Sequence, residues 1–211
     1  MCIRDRYNPQ LKGAYNFVPG VMAMVLLLVC TMMTALTVVR EKEMGTMEVL
    51  LVSPVRPLRI ILAKAVPYLI VSTFNIISIL LLAVYVLDVP IRGNLALLVG
   101  ESVLFTLVAL ALGLLISSST ASQQSAMFIS LIGMFLPTIM LSGFMFPVEN
   151  MPLPLRILSN IVPAKWYFII VRSVMIKGVG WVQVWKQTLV LLGMFLFFMG
   201  LAIKKFKLRL E

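Results

Sequence analysis

Apolar residues in this chain do not alternate with polar ones. They come in five long runs, at about residues 18–39, 65–87, 95–116, 125–146 and 187–203. Crossing the hydrocarbon core of a bilayer takes about 20 largely apolar residues in a helix. Four runs have that length. The fifth is shorter but ends in Lys204, Lys205 and Lys207, whose long stems can carry their charges to the interface. No run shows the period-two alternation of a strand, and lipid cannot satisfy the open edges of a sheet. The pattern predicts an all-α, polytopic integral membrane protein with about five transmembrane helices. No internal repeat interrupts it, which excludes a solenoid.

The connections differ in kind. Residues 88–94, "DVPIRGN", read as a tight turn, and 117–124, "SSSTASQQ", as an uncharged polar turn. Residues 40–64 form a charged elbow. Arg40, Glu41, Lys42 and Glu43 mark the exit of the first helix from the hydrocarbon, and Arg40 and Glu43 are spaced to pair on one face. Gly45 is a natural place to bend. Thr46 can cap a second, short helix with Glu48 near its positive end. That helix, "MEVLLV", must stop before Pro54, because proline pushes its predecessor, Ser53, out of the α region. A surface anchor and a docking element for a cytoplasmic partner both fit this elbow.

Residues 147–186 are amphipathic rather than polar. Their apolar pieces "ILSNIV" and "WYFIIVRSVMI" are too short to span, and are broken by Pro147, Pro152, Pro154, Pro163 and the "GVG" at 178–180. All three tryptophans (Trp166, Trp181 and Trp185) fall here with Tyr167 and Glu149, and indole rings favour the membrane interface. Arg172 and Lys177 fit the same depth by snorkelling. The expectation is an interfacial or re-entrant pair of half-helices before the last span.

Composition agrees with the pattern and removes whole classes of chemistry. The 211 residues are 61% hydrophobic and 12% charged, against roughly 25% charged in soluble domains. The mean hydropathy is +1.06. The net charge of +10 would suggest nucleic acid in a soluble protein, but here the basic residues flank apolar runs and suit anionic lipid headgroups. No nucleic-acid partner is expected. Histidine is absent, and Cys2 and Cys30 offer neither a disulfide framework nor metal spacing. There is no phosphate-binding GxxxxGK[ST] loop, no nucleophile–base pair and no metal cluster. Neither a catalytic site, a metal site nor a cofactor is expected in this chain.

Within the spans, polar residues are few. Glu101 lies roughly 9 Å into the third run at the helical rise, where an acid is a functional candidate by default; headgroup exposure and pairing with Arg92 are the plainer readings. Asn75, among Ser72, Thr73 and Ser78, suits interhelical hydrogen bonding. Pro137 should kink the fourth helix, and Gly133 and Gly143 allow close packing. Five spans split the 18 Lys and Arg residues evenly between the two sides. The tighter clustering at span ends favours the side of 40–64, 117–124 and the tail as cytoplasmic.

Two ordered stretches, "VPGVMAMVLLLVCTMMTALTVVREKEMGTMEVLLVSPVRPLRIILAK" and "SGFMFPVENMPLPLRILSNIVPAKWYFIIVRSVMIKG", resemble the permease subunits of type-2 ATP-binding-cassette (ABC) exporters, drug-export branch. The resemblance runs from Tyr7 to the C-terminus. It implies that the short helix after "REKE" couples the permease to a separate cytoplasmic ATPase, which would bind ATP and Mg. Arg40, Glu41, Glu43, Gly45, Thr46 and Glu48 fall on that coupling motif, and Ser53 and Pro54 on its end. It further implies an outer gate within 147–186, where Pro147, Glu149, Trp166, Tyr167 and Arg172 lie, and a second permease copy or homologue. The setting would be the bacterial plasma (inner) membrane, with the C-terminus cytoplasmic and amphiphilic or drug-like cargo moving out. Family members usually carry a further first helix and a large extracytoplasmic domain, so the chain reads as N-terminally truncated. Residues 1–17 then form a polar lead-in, with Met1–Arg6 foreign to the rest, and 18–211 form the transmembrane permease domain. An ion-coupled secondary transporter, for which only Glu101 is available, and a non-transporting subunit that recruits a cytoplasmic partner are the alternatives.

Overall fold

Each apolar run contains a long helix in the computed structural model, which describes residues 14–45, 57–87, 93–145 and 151–207, leaving aside the side chains of 14–16, 57–64 and 206–207. The helices are α1 (Ala14–Glu43), α2 (Pro57–Tyr85), α3 (Leu95–Ser119), α4 (Gln123–Leu141), α5 (Leu153–Ser159), α6 (Pro163–Lys177) and α7 (Trp181–Lys207). Five of them, α1, α2, α3, α4 and α7, are long and apolar enough to cross a membrane. No strand occurs among the described residues.

Helix α3 is apolar on all sides, and a helix with no polar face belongs in the interior. It packs against α1, α2, α4, α6 and α7. About half of α1 and α3 is buried within the chain (50% and 56%), against 22%, 17% and 11% for α2, α4 and α7. The last three wrap a two-helix centre and turn one side outward. Phe74 on α2, Phe128 on α4 and Phe197 on α7 are 74%, 56% and 62% exposed. Such apolar faces are untenable in water and ordinary against lipid.

Small residues set how closely the central pair approaches. A Cβ built on Gly113 of α3 would lie 2.6 Å from the Thr31 carbonyl oxygen of α1 and 2.8 Å from the Thr34 Cβ. The Thr31 hydroxyl donates to Ala109 O of α3 at 3.3 Å as well as to its own Leu27 O. Without a hydrophobic force between helices in lipid, close contact of this kind holds them together. Gly133, expected from the sequence to serve that purpose, faces open space instead. Gly143 has φ +85 and ends α4.

Several boundaries differ from the sequence reading: α2 begins at Pro57 rather than 65, and α3 runs to Ser119, into the expected polar turn. Helix α1 continues through the charged "REKE" to Glu43, since charged residues beyond the hydrocarbon remain good helix formers. The bend follows at Gly45, φ +70. Helix α4 ends at Leu141, and it runs through Pro137. The last span begins at Trp181, six residues before the expected start, because Gln183, Lys186 and Gln187 interrupt the apolar run without breaking the helix.

Candidate functional site

At one end of the bundle, α1 closes on the turn between α3 and α4. Lys42 Nζ donates to the carbonyl oxygen of Ser117, in the last turn of α3, where carbonyls have no helical partner. Glu43 does the converse at the start of α4. Its Oε1 accepts from the backbone N–H of Gln123 at 2.8 Å, and its Oε2 accepts from Gln123 Nε2. A cation thus meets the negative end of one helix and an anion the positive end of the next. The Ser122 hydroxyl accepts from Ser125 N at 3.2 Å and caps α4, while Lys205 Nζ of α7 donates to Ser119 Oγ at 2.8 Å. Arg40 and Glu43 are both exposed. Glu43, spaced to pair with Arg40, is taken up by Gln123. Glu41 is half-buried. Thr46, Glu48, Ser53 and Pro54 lie outside the described residues.

At the other end, α5 and α6 meet at 80° across a short break. Pro152 and Pro163 stand at the starts of the two helices, where a missing N–H costs nothing. The bend is fastened from within. Lys165 Nζ, on a residue only 8% exposed, donates to Ser159 Oγ at 2.9 Å and Asn160 Oδ1 at 2.6 Å. Trp166 Nε1 donates to Asn160 O at 3.0 Å, and the Lys165 ammonium lies 5.5 Å from the Trp166 ring centre. Gly178, φ +66, closes α6 in the left-handed region that glycine tolerates. The expected pair of half-helices is present, with Trp166 inside its bend and Arg172 exposed. Trp181 and Trp185 belong to α7. Pro147 and Glu149 lie outside the described residues.

The bent pair is moored to α3. Tyr167 is fully buried, stacked on Phe105 at 4.1 Å between ring centres, and its hydroxyl shares a hydrogen bond of 2.7 Å with Ser102. The neighbouring Glu101, 2% exposed, accepts from Thr188 Oγ1 of α7 at 2.6 Å, while its Oε2 has no partner. Two consecutive residues of α3 therefore hold α6 and α7. Arg92, suggested as a partner for Glu101, lies outside the described residues. Asn75 is half-buried on α2, and its neighbours Ser72 and Thr73 donate to Leu69 O of their own helix. No group of acidic, histidine or cysteine side chains able to hold a metal ion occurs among the described residues.

Sequence reasoning passed over Gln123, Lys165 and Thr188, and took Lys42 only as one of the charges at the exit of the first helix. Lys165 alone carried a signal, as a cation between two apolar stretches just after a proline. The contacts of Lys42, Gln123 and Thr188 span 75 or more positions, beyond the reach of any local pattern.

Five helices able to cross a membrane, with a bent half-helix pair before the last, define a polytopic helical membrane protein. Residues 3–204 match the family model described as ABC-2 family transporter protein, and the chain belongs to that family. It is 35% identical over 211 residues to the "Probable multidrug ABC transporter permease YbhS" of Escherichia coli strain K12, covering 99% of this chain and 56% of the relative. It is 38% identical over 187 residues to YbhR of the same strain, also named a probable multidrug ABC transporter permease (89% and 50% covered). An ABC transporter G family member 20 from Dictyostelium discoideum is 31% identical over 198 residues, which is 93% of this chain and 27% of that protein. The chain spans about half the length of the bacterial relatives it matches.

Proposed function

We propose that this chain is membrane-embedded permease of an ATP-driven exporter that moves amphiphilic or drug-like compounds out of the cytoplasm. The observation that carries the reading is the match of nearly the whole chain to a transporter family whose bacterial relatives are named multidrug ABC transporter permeases. These 211 residues contain no phosphate-binding loop, so ATP and Mg are bound outside them, by an ATPase partner. The "REKEMGTMEVLLVSP" elbow docks on that ATPase, with Arg40, Glu41, Glu43, Gly45, Thr46 and Glu48 along the contact and Ser53 and Pro54 at its end. The elbow, the 117–124 turn and the C-terminus face the cytoplasm of a bacterial inner membrane. The α5–α6 bend, with Pro147 and Glu149 leading into it and Trp166, Tyr167 and Arg172 on α6, forms the outer gate. A second permease copy or homologue lines the path.

Nucleotide state can drive transport only if it favours one of two membrane arrangements over the other. Glu48→Arg tests the docking. In membranes carrying the permease and its ATPase, this variant is expected to insert normally and retain ATP hydrolysis by the ATPase while losing export of a fluorescent amphiphile. Undiminished export, or failure of any ATPase to co-purify with the wild-type permease, would overturn the reading.

A further inference from the structure

Between the elbow and the transmembrane bundle lies a short strut whose role no relative's name assigns. The last turn of α1 carries Lys42 and Glu43 side by side, and the two reach the two sides of one turn. Lys42 holds the end of α3 through Ser117 O, and Glu43 holds the start of α4 through both the N–H and the side-chain amide of Gln123. The clasp joins three helices, α1, α3 and α4, and neither of the other two directly follows α1 in sequence. Two residues further on, Gly45 takes φ +70 with its N–H on Lys42 O, so the direction in which the chain leaves α1 is set from within the clasp.

Rigid-body logic makes this arrangement more than a cap. A chain end that is hydrogen-bonded to two helix termini cannot be displaced without moving them or breaking the bonds. Charge-assisted bonds at helix ends are the stronger kind, and the Glu43 pair is two-pronged, which fixes orientation as well as distance. Helices α3 and α4 differ sharply in burial: α3 is central, and α4 lies mostly outside. Displacing the turn between them would tilt the outer helix against the central one. Below the turn, Ala35 and Val39 of α1 pack with Ile116 of α3 and Ala126 of α4, so the apolar contact continues the polar one into the bundle.

We infer that Lys42, Glu43 and Gln123 form the strut through which a displacement of the elbow reaches α3 and α4, with Gln123 as a positioning residue of the transport cycle. The inference rests on the exporter reading above. It adds that the last turn of α1 and the α3–α4 turn move as one body.

Spin labels at Met44 and Gln124, both exposed and outside the clasp, test it in the assembled transporter. Pulsed distance measurements are made without nucleotide and with ATP trapped, on the wild-type background and on Gln123→Ala. The expected result is one narrow distance in both nucleotide states of the wild type and a broadened distribution in Gln123→Ala. Transport per ATP hydrolysed should fall several-fold in that variant, because α4 is no longer held to the end of α1. The double variant Glu43→Gln with Gln123→Glu rebuilds the amide–carboxylate bond in reverse and should recover most of the transport, which a merely fold-stabilising role would not require. A wild-type distance that changes between nucleotide states would overturn the inference, as would a Gln123→Ala permease with undiminished transport per ATP. Failure of the exporter reading itself would look different: no ATP-dependent flux in the wild type, with the narrow distance still present.

Discussion

The two ends of this bundle use the same kinds of groups to opposite effect. At the α1 exit, lysine, glutamate and glutamine join three helices through exposed or half-exposed side chains at helix termini. At the α5–α6 bend, a buried lysine and a buried serine make the inner contact, an asparagine and a tryptophan add bonds at its rim, and the adjoining tyrosine is sealed against a phenylalanine. Near water, a hydrogen bond replaces one to solvent and its net contribution is small. Away from water, its loss leaves groups that nothing else can satisfy. The first end is therefore built for defined geometry that can be re-made, and the second for a shape that stays.

That contrast can be broken by substitution, beginning where the effect should be largest. Tyr167→Ala removes a fully buried ring from its stack and should destabilise the permease by about 3–5 kcal/mol, read as a fall in melting temperature in nanodiscs. Tyr167→Phe keeps the stack and loses only the hydroxyl, so its deficit should be about 1 kcal/mol. If both variants melted alike, the hydroxyl and not the ring would be the anchor. Lys165→Met leaves the buried Ser159 hydroxyl without its donor and should cost about 1–3 kcal/mol. Trp166 emission should shift to the red as the bend loosens. An unshifted spectrum would mean that the prolines alone hold the angle.

Effects at the α1 exit should be smaller and of a different character. Ser122→Ala removes the cap of α4 and should cost about 1 kcal/mol in the same melting assay. Glu43→Gln should change the melting temperature least of all. Its signature is salt dependence: the difference from wild type should fade as ionic strength rises from about 0.1 M to about 1 M and the screening length shrinks from about 10 Å to about 3 Å. The Lys165→Met deficit should persist over the same range. Equal salt sensitivity at the two ends would erase the distinction drawn between them.

Much of the architecture was legible from run length alone, because a bilayer imposes one requirement on every span. The half-helix pair was legible for a related reason: prolines, glycines and tryptophans mark breaks and interfaces by their own chemistry. Packing was not. Gly113 and Gly133 both sit in apolar helices, and nothing local says which one faces a neighbour when every face is apolar. The extra turns at Trp181 were hidden because Gln183, Lys186 and Gln187 read as the end of an apolar run, although a helix emerging into the headgroups tolerates them. The strut was hidden because "REKE" has an adequate local explanation as an interfacial charge cluster. Its meaning depends on Ser117 and Gln123, which come 75 and 80 positions after Lys42 and Glu43.

The threonines of α1 bear on how such a protein is made. Thr31, Thr34 and Thr37 each donate to a carbonyl four residues back in their own helix, at Leu27, Cys30 and Met33. During synthesis α1 enters the bilayer well before α3, and for that interval its future contact face is turned to lipid chains. Hydroxyls already satisfied within the helix let it wait there without penalty. When α3 arrives, Gly113 admits Thr31 and Thr34 closely enough for the Thr31 hydroxyl to share its proton with Ala109 O. The seam at the centre of the bundle is thus assembled from a helix that is stable alone and a partner that arrives later.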